Sequence, residues 1–214
     1  MALVAAGLAG DRFDRDHPRA AHLAYVLDAA TGTAVWATTD QNPDPWSASY
    51  ATQAVKDWRL PLPYGQAPER VGAATAVKLA APELTVLAQR EEGGQSVTRV
   101  RVRSLRQAYQ LNLHADRAVT GGSMRAAGET LALPESGEGK GAWKFEVQFF
   151  VPPADGVEFE LRTAGKPRLA VSDITLGLDG VPGLRPRPEG TEVASSTGGL
   201  PGDSVTVVGR IAGP

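Results

Sequence analysis

Beyond Glu83 apolar and polar side chains alternate along the chain, the period of a β-strand with one buried face. In SVTRVRVRSL, Thr98, Val100 and Val102 share one face, and Arg99, Arg101 and Arg103 share the other. In AYQLNLH, Tyr109, Leu111 and Leu113 alternate with Gln110, Asn112 and His114, which predicts a solvated face for the polar set. KFEVQFFV gathers Phe145, Val147, Phe149 and Val151, and VEFEL gathers Val157, Phe159 and Leu161, with PPADG as the turn between them. Weaker strands fit Leu84 to Ala88, Ala118 to Thr120, Leu169 to Leu176 and Val205 to Ile211.

Upstream, Leu23 to Leu27 and Thr33 to Thr38 flank a loop that starts at Asp28 and ends at Gly32, which predicts a β-hairpin. Asp44 and Pro45 supply the N-cap and first position of a helix, after which Trp46, Tyr50, Ala54 and Trp58 recur every four residues. The spacing predicts one short helix near residues 45–58 with an aromatic face. Leu60-Pro61-Leu62-Pro63 stops it, and residues 59–82 read as an irregular, proline-punctuated traverse. The stretch from Gly180 to Gly202, rich in Pro, Gly and Ser, reads as an extended surface tail. Many short strands separated by turn signals make the expected fold all-β, a β-sandwich with a jelly-roll-like topology open to it.

Composition fits that reading and narrows the partners. With 24 Gly, 16 Pro and 21% charged residues, the chain suits a loop-rich β protein better than a helical bundle. Its 22 basic and 24 acidic residues create no overall field to attract nucleic acid, so no nucleic-acid partner is expected. The absence of cysteine removes disulfides, thiolate nucleophiles and cysteine-ligated zinc. The opening MALVAAGLAG is apolar for ten residues, short of the ~20 that span a bilayer and without a signal-peptide pattern. It reads as the stub of a truncated membrane helix, or as a disordered or cloning-derived N-terminus. The charged GDRFDRDHPRAA follows as a linker, so residues 1–21 are expected to be stub and linker, and residues 22–214 the β-sandwich domain with its tail.

Candidate chemistry is sparse. His17, His22 and His114 form no metal-ligand spacing. Asp11, Asp14 and Asp16 are interleaved with Arg12 and Arg15 and suit a solvated linker better than a calcium loop. Asp40 and Asp44 could form an acid/base pair, but capping and turn roles explain them more simply. The run from Pro134 to Gly141 fails as a phosphate loop at both ends, and Gly122-Ser123-Met124-Arg125 lacks the second glycine of a nucleophile elbow. No catalytic, cofactor-binding or metal residue is therefore assigned. Two groups remain as candidate contact surfaces. Arg99, Arg101 and Arg103, extended by Arg106, could hold an anion or an acidic surface, although alternating arginines also protect an exposed strand from edge pairing. Trp36 and Trp46, with Tyr50 and Trp58, could form a sugar or peptide platform, although packing of a helix onto the hairpin accounts for the same rings.

Three stretches carry a resemblance: LAYVLDAATGTAVWATTDQNPDPW, then Arg101-Val-Arg-Ser-Leu-Arg106, then the tail from Gly180 through Gly-Leu and Arg-Pro to Thr191. The matching residues are Tyr25, Asp28, Thr31, Gly32, Trp36, Asp40, Asp44, Trp46, Ser104 and Arg106. The chain resembles, from about His17 to its end, the C-terminal extracytoplasmic domain of multi-spanning membrane di-zinc exopeptidases. These are the aminopeptidase Y-like family that includes vacuolar membrane protease and endoplasmic reticulum metallopeptidase. The resemblance implies a non-catalytic accessory domain on the periplasmic or extracellular face of a membrane. Its partners would be the parent's peptidase domain and membrane helices, and a peptide substrate that it helps to admit. It further implies that zinc and the catalytic residues belong to the parent's peptidase domain, so no cofactor is expected in this segment. The alternative is a stand-alone carbohydrate- or peptide-binding β-sandwich that uses the aromatic group.

Overall fold

The structure, a computed structural model, describes residues 19–62, 67–136, 142–188, 191–193 and 202–210. The expected hairpin is present: β2 (Ala24–Asp28) and β3 (Thr33–Thr38) pair antiparallel, with Asp28 opposite Thr33. Gly32 closes the loop at φ +67, a conformation costly for any residue with a Cβ. The period-two segments form β7 (Gln95–Arg103), β8 (Gln110–Ala115), β11 (Phe145–Phe150) and β12 (Val157–Thr163). The weaker signals form β6 (Glu83–Glu92), β9 (Val119–Ala126), β13 (Leu169–Leu176) and β15 (Ser204–Arg210). Four short strands carried no such signal: β1 (Arg19–Ala21), β4 (Gln53–Ala54), β10 (Glu129–Ala132) and β14 (Thr191–Val193). So did β5 (Arg70–Ala74), which lies inside the traverse read as irregular.

These strands make an all-β sandwich. One sheet has five strands in the order β10-β9-β12-β7-β6, and the other has eight in the order β11-β8-β13-β15-β2-β3-β5-β4. β1 and β14 form a separate parallel pair, so Arg19–Ala21, within the stretch read as linker, is strand. The larger sheet is wider than its partner, and its inner face is covered in two halves. Leu111, Leu113, Phe145, Leu169 and Val171 pack with Val100, Val102, Val157, Phe159 and Leu161 of the five-stranded sheet. Leu23, Tyr25, Leu27, Trp36, Val205 and Val207 pack instead with Trp46, Ala51 and Val181. On the outer face Ala24, Val26, Ala37 and Val208 lie beneath Leu62, Trp58 and Leu60.

The helix is shorter than its aromatic spacing suggests. α1 (Pro45–Tyr50) is capped by Asp44, whose carboxylate accepts from the amides of Trp46 at 2.9 Å and Ser47 at 3.2 Å. It ends at Ala51 because the Arg70 guanidinium takes the carbonyls of Ala51 at 3.0 Å and Thr52 at 2.8 Å, and β4 then pairs with β5. Trp58 therefore does not continue the helical face. Trp46 and Tyr50 cover the inner face of the sheet and Trp58 the outer, which one straight helix cannot do.

Three further expectations change. Gln110, Asn112 and His114 are buried, not solvated. Trp143 stacks on His114 with centroids 6.1 Å apart and donates to the Arg59 carbonyl, closing that part of the outer face. Gln110 donates to Asn112 at 2.6 Å and Asn112 to Ser172 at 3.1 Å, so the buried amides satisfy one another. Val151 leaves the face it was expected to share with Phe145, because the strand ends at Phe150 and Val151 turns to φ +50. The segment after Gly180 is not simply a surface tail: Val181 is buried and Leu184 packs on the second core cluster. The stub, His17, the Asp11 to Asp16 group and residues 137–141 of the phosphate-loop-like run lie outside the described residues.

Candidate functional site

Strand register brings one end of the larger sheet together. Ala24 of β2 faces Ser204 of β15, Leu176 of β13 faces Ser204 on the other side, and Gln110 of β8 pairs with both Ile174 and Phe150. Across this end runs the segment after Leu178, held down by two arginines. Arg187 donates to both carboxylate oxygens of Asp203 at 2.6 and 2.7 Å, and its guanidinium lies 4.1 Å from the Trp46 ring centroid. Asp203 also accepts from the Leu23 amide at 2.9 Å, which ties the entry of β2 to the same anchor. Arg185 accepts through its carbonyl from Trp46 Nε1 at 3.2 Å, donates from its amide to the Tyr50 hydroxyl, and reaches Ser49 with its guanidinium.

Beside this strap opens a cleft of about 780 Å³, lined among others by Trp46, Tyr109, Leu176, Leu184, Arg185 and Asp203. Its walls are mainly apolar, with Asp179, Arg185, Arg187 and Asp203 as charged groups among them, the composition of a contact or ligand surface. It continues onto the Tyr109 and Phe150 rings, whose centroids are 5.6 Å apart at 66°.

The nearest reactive-looking group is His22, buried beneath the strap. Its Nδ1 lies 3.4 Å from Asp40, while Nε2 accepts from the Thr39 amide at 3.0 Å and lies 3.0 Å from the Thr39 hydroxyl. Burial lowers the imidazole pKa more strongly than Asp40 raises it. An Asp-His-Thr row would suit nucleophile activation only if Nε2 were free to take the hydroxyl proton. Here the backbone amide already occupies that lone pair, so the row fixes the β3 exit and activates nothing. Among the described residues no group of three His, Asp or Glu side chains stands ready for a metal ion.

The six residues expected at a contact surface are not brought together. Trp36 is 4% exposed, held edge-on by Tyr25 at 5.4 Å and tilted against Tyr50, so it presents no platform. Trp46 is 8% exposed, roofed by Arg187, and contributes only an edge to the cleft. Arg99, Arg101 and Arg103 do lie on the outer face of β7, opposite buried Thr98, Val100 and Val102. Arg99 and Arg101 both bond Glu158, and Arg103 bonds Glu83. The hydrogen bonds from Arg101 and then Arg99 hold the Glu158 carboxyl below its usual range. All three guanidinium groups of the row are thus paired within their own sheet, through two carboxylates. Arg106 does not extend it: its side chain turns inward to the fully buried Asp173, at 2.6 Å.

Tyr109, Leu176, Arg185, Arg187 and Asp203 build the cleft, and none of them was among the residues expected at a contact surface. Arg-Pro-Arg-Pro at 185–188 was a visible signal, since alternating prolines stiffen a strap, but Asp203 and Leu176 carried none. Compared with protein-family models, with curated proteins and with solved structures, the chain matches none.

Proposed function

We propose that this chain is a non-catalytic extracytoplasmic accessory domain of a membrane-bound di-zinc exopeptidase, supporting the parent's stability or the admission of its peptide substrates. The observation that carries the reading is the use to which the resembling residues are put. Tyr25 and Trp36 stack, Asp44 caps α1, Asp40 faces His22, Ser104 and Arg106 bind Asp173, and Arg187 joins Trp46 to Asp203. Every one of these contacts builds the frame, and none offers a nucleophile or an acid/base pair to solvent. Such a set suits a domain whose signature residues preserve shape while chemistry is done elsewhere.

Two measurements test it. The coding sequence upstream of Met1 should continue in frame into membrane spans and a zinc peptidase, and an immediate upstream stop with its own start signals would sink the reading. Purified chain with added zinc should release no amino acid from aminoacyl anilides or dipeptides. Turnover that disappears with a chelator would overturn the non-enzyme assignment.

The alternative, a stand-alone binding module, loses the aromatic platform to burial of Trp36 and Trp46. Its peptide-binding form keeps one support, the apolar cleft beside Arg185. Titration with short peptides, followed by quenching of tryptophan fluorescence, would favour it if Leu184→Ala weakened the response.

A further inference from the structure

Eight large hydrophobic side chains are strongly exposed among the described residues, and five of them, Leu105, Tyr109, Phe150, Val151 and Leu176, belong to one rim of the sandwich. Three observations join them. Tyr109 and Phe150 stack edge to face, the Val151 amide donates to the Tyr109 carbonyl at 2.8 Å, and Tyr109 and Leu176 line the same cleft. Leu105 belongs to the connection from β7 to β8 that ends at Tyr109.

Val151 is the most telling member. Its side chain is 74% exposed, and its backbone sits at φ +50, a region that is a real outlier for a β-branched residue. Glycine or asparagine would hold that turn at lower cost, and the valine methyls gain little within the chain in return. Strain borne by an exposed apolar side chain points to a contact outside the fold.

The same rim receives the chain. Leu23 and Ala24, where β2 begins, sit beside Asp203 and Ser204, four strand spacings or about 19 Å from Phe150 along the sheet. Residues 11–18 separate Arg19 from the apolar MALVAAGLAG, and a fully extended linker of that length spans at most about 30 Å. In sequence, only Asp11 to His22 lie between the apolar run and Leu23 on this rim.

We propose that this rim rests in the interfacial region of a lipid bilayer, with Phe150 and Val151 as the inserted tip, Leu105 and Leu176 flanking it, and Tyr109 at headgroup level. Tyrosine suits that depth because one end of its ring is apolar and the other hydrogen-bonds water. The inference deepens the accessory-domain reading, resting on a chain held at a membrane from its N-terminal side. Vesicle binding and upstream coding sequence are independent measurements, so failure of one is distinguishable from failure of the other.

The chain has no cysteine, so a single introduced thiol can be labelled cleanly. Val151→Cys carrying an environment-sensitive fluorophore should shift to the blue on addition of phosphatidylcholine vesicles and be quenched by lipids brominated on their acyl chains. The same label at Glu91→Cys should not respond, because Glu91 is exposed near the far end of β6, where it pairs with Ser96 of β7 at the opposite end of the sandwich. In full-length chain, Phe150→Ser with Val151→Asp should lower vesicle partitioning about tenfold or more, with an unchanged circular dichroism spectrum. That comparison separates the rim from the N-terminal run, which both proteins share. Three results would overturn the assignment: no response at position 151, an equal response at position 91, or a response that depends on protein concentration without vesicles. The last would make the rim an interface between copies.

Discussion

Replacing Arg106 by alanine isolates the strongest electrostatic commitment in the fold. Asp173 is fully buried, and its carboxylate accepts from Arg106 Nη2 and from the Ser104 hydroxyl, each at 2.6 Å. Arg106 is itself mostly buried and also donates toward the carbonyls of Asp173 and Val205, at 3.2 and 3.3 Å. Removing one partner of a buried pair leaves an uncompensated charge, which costs about 3–5 kcal/mol. Against a typical domain stability of about 5–15 kcal/mol that loss is easily measured. Its pH dependence tests the cause. Burial raises the Asp173 pKa, and the charge and hydrogen bonds of Arg106, then Ser104, oppose the rise. The folded chain therefore holds this proton at a pH where the unfolded chain has released it. The associated stability is full below the unfolded value, near about pH 4, and is lost as pH rises through the folded value. Arg106→Ala removes the main opposition and pushes the folded pKa higher, so its deficit should be large near neutrality and shrink as the medium approaches about pH 4. Urea unfolding followed by tryptophan fluorescence at both conditions measures this directly. A deficit below about 1 kcal/mol at neutral pH, or an equal deficit at both, would mean that Arg106 does not compensate the Asp173 charge. Arg106→Met combined with Asp173→Leu should recover most of the loss, because an apolar pair needs no desolvation.

Gly72→Ala should lower the thermal midpoint sharply, since a Cβ there would lie 1.8 Å from the Tyr50 carbonyl oxygen. The rigid backbone cannot yield cheaply, so a cost of about 1–3 kcal/mol or more is expected, and an unchanged midpoint would show that α1 is not seated on β5. Asp44→Ala should cost about 1 kcal/mol in chemical denaturation through loss of the cap, with Asp44→Asn much milder. His114 is held by burial at a pKa of about 3. The unfolded chain thus binds more protons below the usual histidine range, and stability should fall on acidification from about pH 6.5, by up to about 1.4 kcal/mol per unit. His114→Leu should flatten that slope, and an identical acid profile in the variant would contradict it. Arg187→Ala should release the strap, exposing Trp46, which a rise in acrylamide quenching of tryptophan fluorescence would report.

The candidate site was far less legible than the fold. In the Arg99 row the alternating period placed three guanidinium groups outward, as they are, but gave no hint that Glu158 and Glu83 lie across the strands to pair with them. Arg106, only three residues further, turns inward because it lies past the end of β7, in the connection to β8, where its guanidinium meets Asp173 of β13. The aromatic spacing of Trp46, Tyr50 and Trp58 was equally compatible with one helix and with two covers on opposite faces of a sheet. Only Arg70, brought in by β5, decided for the second.

By itself the sequence determined the class of fold, the hairpin at Gly32, the Asp44 cap and the buried face of β7. Each of these depends on residues near one another along the chain, through strand periodicity or local hydrogen bonding. The tertiary structure alone decided that Gln110, Asn112 and His114 are buried, that Val181 belongs to the core, and that Arg187 meets Asp203 and Trp46. It also gathered Leu105, Tyr109, Phe150, Val151 and Leu176 from three separate segments onto one rim. Such groupings depend on which strand ends coincide in a wide mixed sheet, and strand order is set by long-range packing that no local pattern encodes.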